Sequence, residues 1–316
     1  MRAIGAEQVL ERLDYPTLVQ GLHDLHRENT EALEDLLLEQ PSNATVPDRF
    51  FMRAAWQRGQ ALGVKAVTIF PGNDAGAELP TVQGVYLLFE GRHGRPVAAI
   101  NGTALTWRKT AADSALGARF LAREDVATLL MVGAGAMAPE LIKAHVAIRP
   151  TLRRVLIWNR TPERAARLAA ALPLPNIDVE LAPDLESAAH TADLICCATA
   201  TSAPLIRGAW LKPGAHLDLV GAYTPVMREA DDDALRRARI FVDARATTLD
   251  HIGELMIPLA NGVIARADIQ ADLYDLCRGR HPGRQAADEI TLFKNGGGGH
   301  LDLMTARVLA ARLELT

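Results

Sequence analysis

The chain has 316 residues, 49% of them hydrophobic, and a formal net charge of −4, which suits one large or two modest soluble domains with real cores. Scattered cations and a mildly acidic balance argue against nucleic acid as the main partner, and no apolar run reaches membrane length. The first residues lack a signal-peptide core, so a cytoplasmic protein is expected. Three cysteines, two of them adjacent, imply no disulfide framework, and the histidines show no metal-ligand grouping, so no metal is expected.

Residues 1–40 carry leucines at helical spacing and predict two short amphipathic helices broken around Tyr15-Pro16-Thr17, the second running through LVQGLHDLHRENTEALEDLLLEQ. A loop is expected over 41–48, then a segment ending in a strand over 63–70. Strand patterns continue to residue 105 with a hairpin turn at Gly91-Arg92-His93-Gly94, which indicates an antiparallel sheet. Residues 110–122 are Ala-rich and helical. Strands then alternate with helices: 128–132, 154–158, around 179–181, 193–199, and the strand-turn units LKPGAHLDLVGA and ARIFVDA. This alternation means a doubly wound parallel sheet. After residue 268 a helical segment leads to a strand-like run over 289–294, four glycines, and a final amphipathic helix over 300–313 packed on the first domain.

The chemistry begins at residues 128–138, TLLMVGAGAMA, a strand that breaks into glycines and continues as a helix. Gly133 allows the tight turn, Gly135 lets backbone approach a pyrophosphate, and Ala136 and Met137 lead into a helix whose first N–H groups suit phosphate. The next strand ends in Asn159-Arg160-Thr161, with Arg164 one turn into the following helix and Thr161 as its cap. An Asp or Glu at this strand end meets a free ribose 2′-OH; its absence favours a 2′-phosphate, hence NADPH, with NADH as the alternative. Ala198, Thr199, Ala200 and Thr201 lie at the carboxyl end of another parallel strand, where small residues permit close approach of the cofactor.

WNRTPERA, ADLICCATATSAPLI, LKPGAHLDLVGA, ARIFVDAR and ITLFKNGG, in that order behind VGAGAMA, resemble the ornithine cyclodeaminase and mu-crystallin family. The resemblance runs from about residue 63 to the C-terminus and implies a Rossmann domain, residues 113–289, inserted in an antiparallel α+β domain, residues 1–112 and 290–316, that binds substrate and forms a homodimer. VGAYTPVMRE at 220–229 and CRGRHPGRQAADEITLFK are most similar to the Δ1-pyrroline-2-carboxylate reductase branch. That implies reduction of a cyclic imino acid, Δ1-pyrroline-2-carboxylate or its six-membered homologue, to L-proline or L-pipecolate. Three alternatives stay open: an open-chain imine or alanine dehydrogenase activity, ornithine cyclodeamination, and a crystallin-like protein that holds NADPH without turnover. Tyr223 stands where the cyclodeaminases carry their catalytic Asp, which disfavours cyclisation.

Such a reaction needs a cationic clamp for the substrate carboxylate, a proton source and a floor for the nicotinamide. Lys65 interrupts the apolar strand GVKAVTIF and matches the family's substrate lysine; it is the first candidate for clamp and proton donor, against a solvated edge lysine. Arg49, after a Pro-Asp turn, is the candidate second carboxylate contact. Lys109 stands where the family commonly has Arg and is expected, with Thr110, beside substrate and cofactor; as a point charge it lacks the bidentate fork. Thr81 and Gln83 are expected on the nicotinamide side, and Val220 and Gly221 at the next strand end, with Tyr223 closing the pocket or packing ordinarily. Lys294 and Asn295 are expected to reach the cofactor, and His300 and Asp302 to cap the last helix.

Overall fold

A computed structural model describes residues 1–29, 32–41, 47–75 and 79–315. The chain divides into two compact units, Met1–Lys109 with Gly298–Thr316, and Thr110–Gly297. The division falls at 109/110 and 297/298, whereas the sequence suggested 112/113 and 289/290. Most of the loop expected over 41–48 lies outside the described residues.

The first unit opens with β1 (Arg2–Ile4), α1 (Ala6–Arg12) and α2 (Tyr15–Leu25). Asp14 caps α2 by accepting the Thr17 N–H at 2.9 Å, and Pro16 sits in its first turn, where no N–H is needed. Next come β2 (Ala32–Gln40), β3 (Asp48–Gln57), β4 (Ala61–Ile69), β5 (Val82–Glu90), β6 (Pro96–Asn101) and the start of α3 (Gly102–Leu121). The six strands form one sheet in the order β1-β6-β5-β4-β3-β2, antiparallel except for β1 beside β6. Gly59 and Gly94, at φ +72° and +71°, supply the left-handed turn positions after β3 and β5.

Two expectations fail here. Residues 32–40 were expected in a helix and form edge strand β2, paired with β3 along its whole length. The last helix of the chain, which belongs to this unit, is not amphipathic: Gly299 through Ala306 are all buried.

The second unit continues α3 and adds β7 (Thr128–Val132), α4 (Ala138–Ile148), β8 (Arg154–Trp158), α5 (Pro162–Ala170), β9 (Asp178–Leu181), α6 (Leu185–Thr191), β10 (Leu194–Cys197), β11 (His216–Leu219), α7 (Asp232–Arg237) and β12 (Arg239–Val242). It ends with α8 (Arg245–Thr248), α9 (Gly253–Ala260), β13 (Ile269–Asp272), α10 (Leu273–Cys277) and β14 (Thr291–Lys294), before α11 (Gly299–Arg312) completes the first unit. Its sheet is parallel throughout, in the order β13-β12-β14-β11-β10-β7-β8-β9. From β7 the chain winds outward through β8 and β9, then returns to β10 on the other side. The strand order therefore reverses between β7 and β10, and a crevice opens outside their carboxyl ends. The segment after 268, expected to be helical, contains β13 and only the short α10.

This architecture is the expected one, a doubly wound parallel sheet inserted in the sequence of an antiparallel α+β unit. The three cysteines are buried and unbridged.

Candidate functional site

In the second unit, β7 ends in the glycine turn. Gly133 has φ +106°, and a Cβ there would lie 2.6 Å from the Ala198 carbonyl oxygen, so neither the backbone angle nor the space admits a side chain. Gly135 is the opposite case. A Cβ on it would meet nothing within 4 Å, so its bare face is turned to the space a phosphate would fill. Asn159 braces the turn, its Oδ1 accepting the Ala134 N–H at 3.2 Å while its Nδ2 donates to the Thr161 carbonyl at 2.9 Å.

The result is a cleft of about 310 Å³ lined by residues 133–135, 158–161 and 198–201 with Arg164 and Leu205. Arg160 and Arg164 are exposed there, and no carboxylate stands among the lining residues. Ala136 is exposed and Met137 occupies the N-cap position of α4, although its side chain makes no cap bond. Thr161 likewise holds the N-cap position of α5 without the side-chain hydrogen bond expected of it. Bare glycine backbone, a helix start and two guanidinium groups fit a dinucleotide and its phosphates.

In the first unit the sheet register sets Asp35, Arg53, Lys65, Tyr86, Ile100 and Ile4 in one cross-strand row. Cross-strand neighbours share a face, so the row passes from charged groups at the β2 edge into apolar core. Lys65, 6% exposed, donates to Asp302 Oδ1 at 3.0 Å and lies 2.8 Å from Oδ2. Lys109 lies 3.5 Å from Asp302 Oδ1 and also 3.5 Å from the Gly298 carbonyl. Burial opposes ionisation of Asp302, but Lys109 and Lys65 outweigh it and hold the carboxyl below its ordinary pKa. Lys65 and Lys109 thus converge on one carboxylate, while Arg53 is matched bidentately by Asp35 at 2.7 to 3.1 Å. Burial, reinforced by Asp302, pushes the Tyr86 phenol well above its ordinary value; burial, His26 and Lys109 push the His300 imidazole well below its own.

Lys65 and Lys109 thus come together as the sequence suggested, although the anion they meet is Asp302, for which capping of the last helix was the favoured expectation. Arg49 stands elsewhere on β3, opposite Ile69, with its Nε on Glu39 at 2.6 Å; the cation opposite Lys65 is Arg53. Thr81 precedes β5 and Gln83 is exposed on it. In the second unit, Tyr223 is 71% exposed and closes over nothing within that unit. Lys294 and Asn295 are buried instead of lining the cleft: Lys294 donates to the Leu219 carbonyl at 2.9 Å, and Asn295 to the Thr110 carbonyl and Ser114 Oγ, both at 3.0 Å. Val220 and Gly221 follow β11 as expected, with the Val220 N–H on the Cys197 carbonyl.

Sequence reasoning missed Arg53, Tyr86, Glu229 and Glu254. The first two were accessible from strand register, since each stands directly across from Lys65.

The profile of the ornithine cyclodeaminase/mu-crystallin family matches residues 44–315. A Δ1-pyrroline-2-carboxylate reductase of Paracoccus denitrificans is 44% identical over 299 residues, covering 95% of this chain and 93% of that protein. The Arabidopsis thaliana protein SAR DEFICIENT 4 is 43% identical over 270 residues, 83% of this chain and 82% of its own length. Among solved structures, Thermococcus litoralis Δ1-pyrroline-2-carboxylate reductase in complex with NADH and L-proline superposes with a TM-score of 0.90 at 25% identity, covering 99% of this chain and 98% of that one.

Proposed function

We propose, from the premise that this chain belongs to the ornithine cyclodeaminase/mu-crystallin family, that it is an oxidoreductase reducing a cyclic imino acid with NAD(P)H. The substrate is Δ1-pyrroline-2-carboxylate, giving L-proline, with the six-membered homologue giving L-pipecolate. The observation that carries this reading is the buried cluster in which Lys65 and Lys109 converge on Asp302, two ammonium groups placed together where a substrate carboxylate could be held.

When bound, the nicotinamide supplies the hydride. The chain's own residues do the rest. Lys65 Nζ and Lys109 Nζ hold the substrate carboxylate, and Asp302 keeps two ammonium groups together that would otherwise repel. An ammonium has three donors, so Lys65 can serve Asp302 and the carboxylate while holding a third proton for the ring nitrogen.

NADPH is the preferred cofactor in this reading, because Asn159, Arg160 and Thr161 end β8 without a carboxylate to bind a free 2′-OH. The protein works as a cytoplasmic homodimer through the first unit's sheet. Supporting this is edge strand β2, whose outer backbone edge is unpaired and which exposes Leu36 and Leu38 on one face and Leu37 on the other, at 49%, 51% and 50%. No helix among the described residues is long and apolar enough to cross a membrane.

The test is oxidation of NADPH and NADH against Δ1-pyrroline-2-carboxylate, Δ1-piperideine-2-carboxylate and open-chain 2-oxo acids with and without ammonia. Reduction of the cyclic substrates without ammonia is expected. Strict ammonia dependence would move the activity to the open-chain dehydrogenases, and no oxidation with any substrate would leave a cofactor-binding protein.

A further inference from the structure

We propose that Glu229 is a positioning residue for the dinucleotide: its carboxylate clamps together the two loops that follow β10 and β11. The proposal rests on the dinucleotide reading of the cleft. Glu229 is fully buried, on the segment that follows β11. Its Oε1 accepts both the Thr199 N–H and the Thr199 hydroxyl at 2.8 Å; its Oε2 accepts the Gly221 N–H at 2.6 Å and the Ala222 N–H at 3.3 Å. All of these partners donate, so the carboxylate is engaged as an acceptor on both oxygens.

Glu229 is itself anchored. Glu254 accepts the N–H groups of Glu229 and Ala230 at 2.7 and 3.1 Å, and the Glu229 carbonyl takes the Leu205 and Ile206 N–H groups at 2.8 and 3.0 Å. Burial raises the carboxyl pKa of both glutamates, and the charge of Lys294, also fully buried, opposes that rise without cancelling it. The loops meet too closely for a side chain: a Cβ on Gly221 would lie 2.2 Å from Thr199 N and O and 2.6 Å from Glu229 Oε1.

A buried carboxylate is expensive unless fully hydrogen-bonded, and an apolar residue would fill the same space at lower cost. What the carboxylate does that an apolar residue cannot is to fix backbone N–H groups of two adjacent loops at once. Thr199 lines the cleft and Glu229 does not, so the effect on the cofactor passes through the loop. Glutamine has the same size but only one acceptor oxygen; its NH₂ would face N–H groups on one of the two loops.

The experiment measures NADPH affinity by fluorescence for wild type, Glu229→Gln and Thr199→Val, the last removing one donor and leaving the carboxylate in place. We expect the Kd for NADPH to rise about tenfold or more in Glu229→Gln and about threefold in Thr199→Val, as for lost hydrogen bonds to a charged group. KM for the imino acid should stay within about twofold in Thr199→Val, a split that general unfolding would not produce. Amide exchange at Gly221 and Ala222 should accelerate in Glu229→Gln. If that variant does not fold, Thr199→Val with its melting temperature retained decides the matter by amide exchange: faster exchange at Gly221 and Ala222, across the clamp from Thr199, supports it, and unchanged exchange there overturns it. NADPH affinity within about twofold of wild type in Thr199→Val, and in Glu229→Gln where it folds, overturns the clamp. Failure of wild type to bind NADPH at all would instead overturn the dinucleotide reading.

Discussion

The Lys65 ammonium contacts both carboxylate oxygens of Asp302, 237 positions further along the chain, at 3.0 and 2.8 Å. Neither group has an exposed side of consequence, so each is the condition for burying the other. Removing one partner of a buried ion pair leaves an uncompensated charge, which costs about 3–5 kcal/mol. Asp302→Asn is therefore expected to lower stability by that order in urea unfolding, and adding Lys65→Met to recover part of the loss. Additive losses in the double variant would show that the two groups do not depend on one another.

Lys65→Met tests the substrate role. With the clamp reduced to Lys109, kcat/KM for Δ1-pyrroline-2-carboxylate should fall on the order of 10² or more while NADPH affinity is unchanged. Turnover within about threefold of wild type would transfer the clamp to Lys109 and the neighbouring Arg53.

Arg160→Ala tests cofactor choice. Loss of a charged hydrogen bond to a 2′-phosphate, worth about 1.5–3 kcal/mol, should raise KM for NADPH tenfold or more and leave NADH nearly unaffected. Equal losses with both cofactors would remove Arg160 from the discrimination.

The two cradle glycines should fail in different ways. Gly133→Ala forces a Cβ against the Ala198 carbonyl at a positive φ, so the melting temperature should drop, by about 2–4 °C for each kcal/mol lost. Gly135→Ala meets no protein atom and should melt like wild type but bind NADPH at least tenfold more weakly. A cofactor-competent Gly135→Ala would mean that the phosphates lie elsewhere.

Burial raises the Glu254 carboxyl to about 7, with Glu229 adding to the shift and Lys294 opposing it. Between its ordinary value and that pH the folded protein holds a proton that the unfolded chain has released. Stability from this group is therefore complete at low pH and lost as pH rises through about 7, by at most about 3 kcal/mol. Thermal melts at pH 5 and pH 8 should differ more for wild type than for Glu254→Gln; identical differences would assign the proton elsewhere.

How much of this was legible in the sequence depended on distance along the chain. The glycine turn and the end of β8 are local, and the glycines together with the strand and helix patterns that flank them singled out Gly133, Gly135, Asn159 and Arg160 as candidates. Lys65 was singled out because it breaks an apolar strand at the place of the family's substrate lysine. Its partner was not, because nothing near Asp302 says that a strand residue so far upstream will meet it, and an acid in a first helical turn reads as a cap. Strand β2 was misread because Leu33, Leu36 and Leu37 fall at helical spacing. Residues 33–40 are exposed on both faces, so no alternation betrays the strand, and pairing with β3 overrides local propensity. Glu229 entered the sequence reading only as the end of the 220–229 motif, and its burial follows from loop packing that no local pattern encodes.

The ion pair also joins parts of the first unit that are made far apart in time during synthesis. Residues 110–297 are contiguous, and that unit can close its own core as soon as residue 297 has left the ribosome. Residues 1–109 are made first, but the carboxylate that Lys65 and Lys109 share in the folded unit arrives only with α11. A nascent chain stalled before residue 298 would carry a finished cofactor cradle beside an unfinished sheet, and proteolytic loss of α11 would strand two ammonium groups instead of trimming a surface helix.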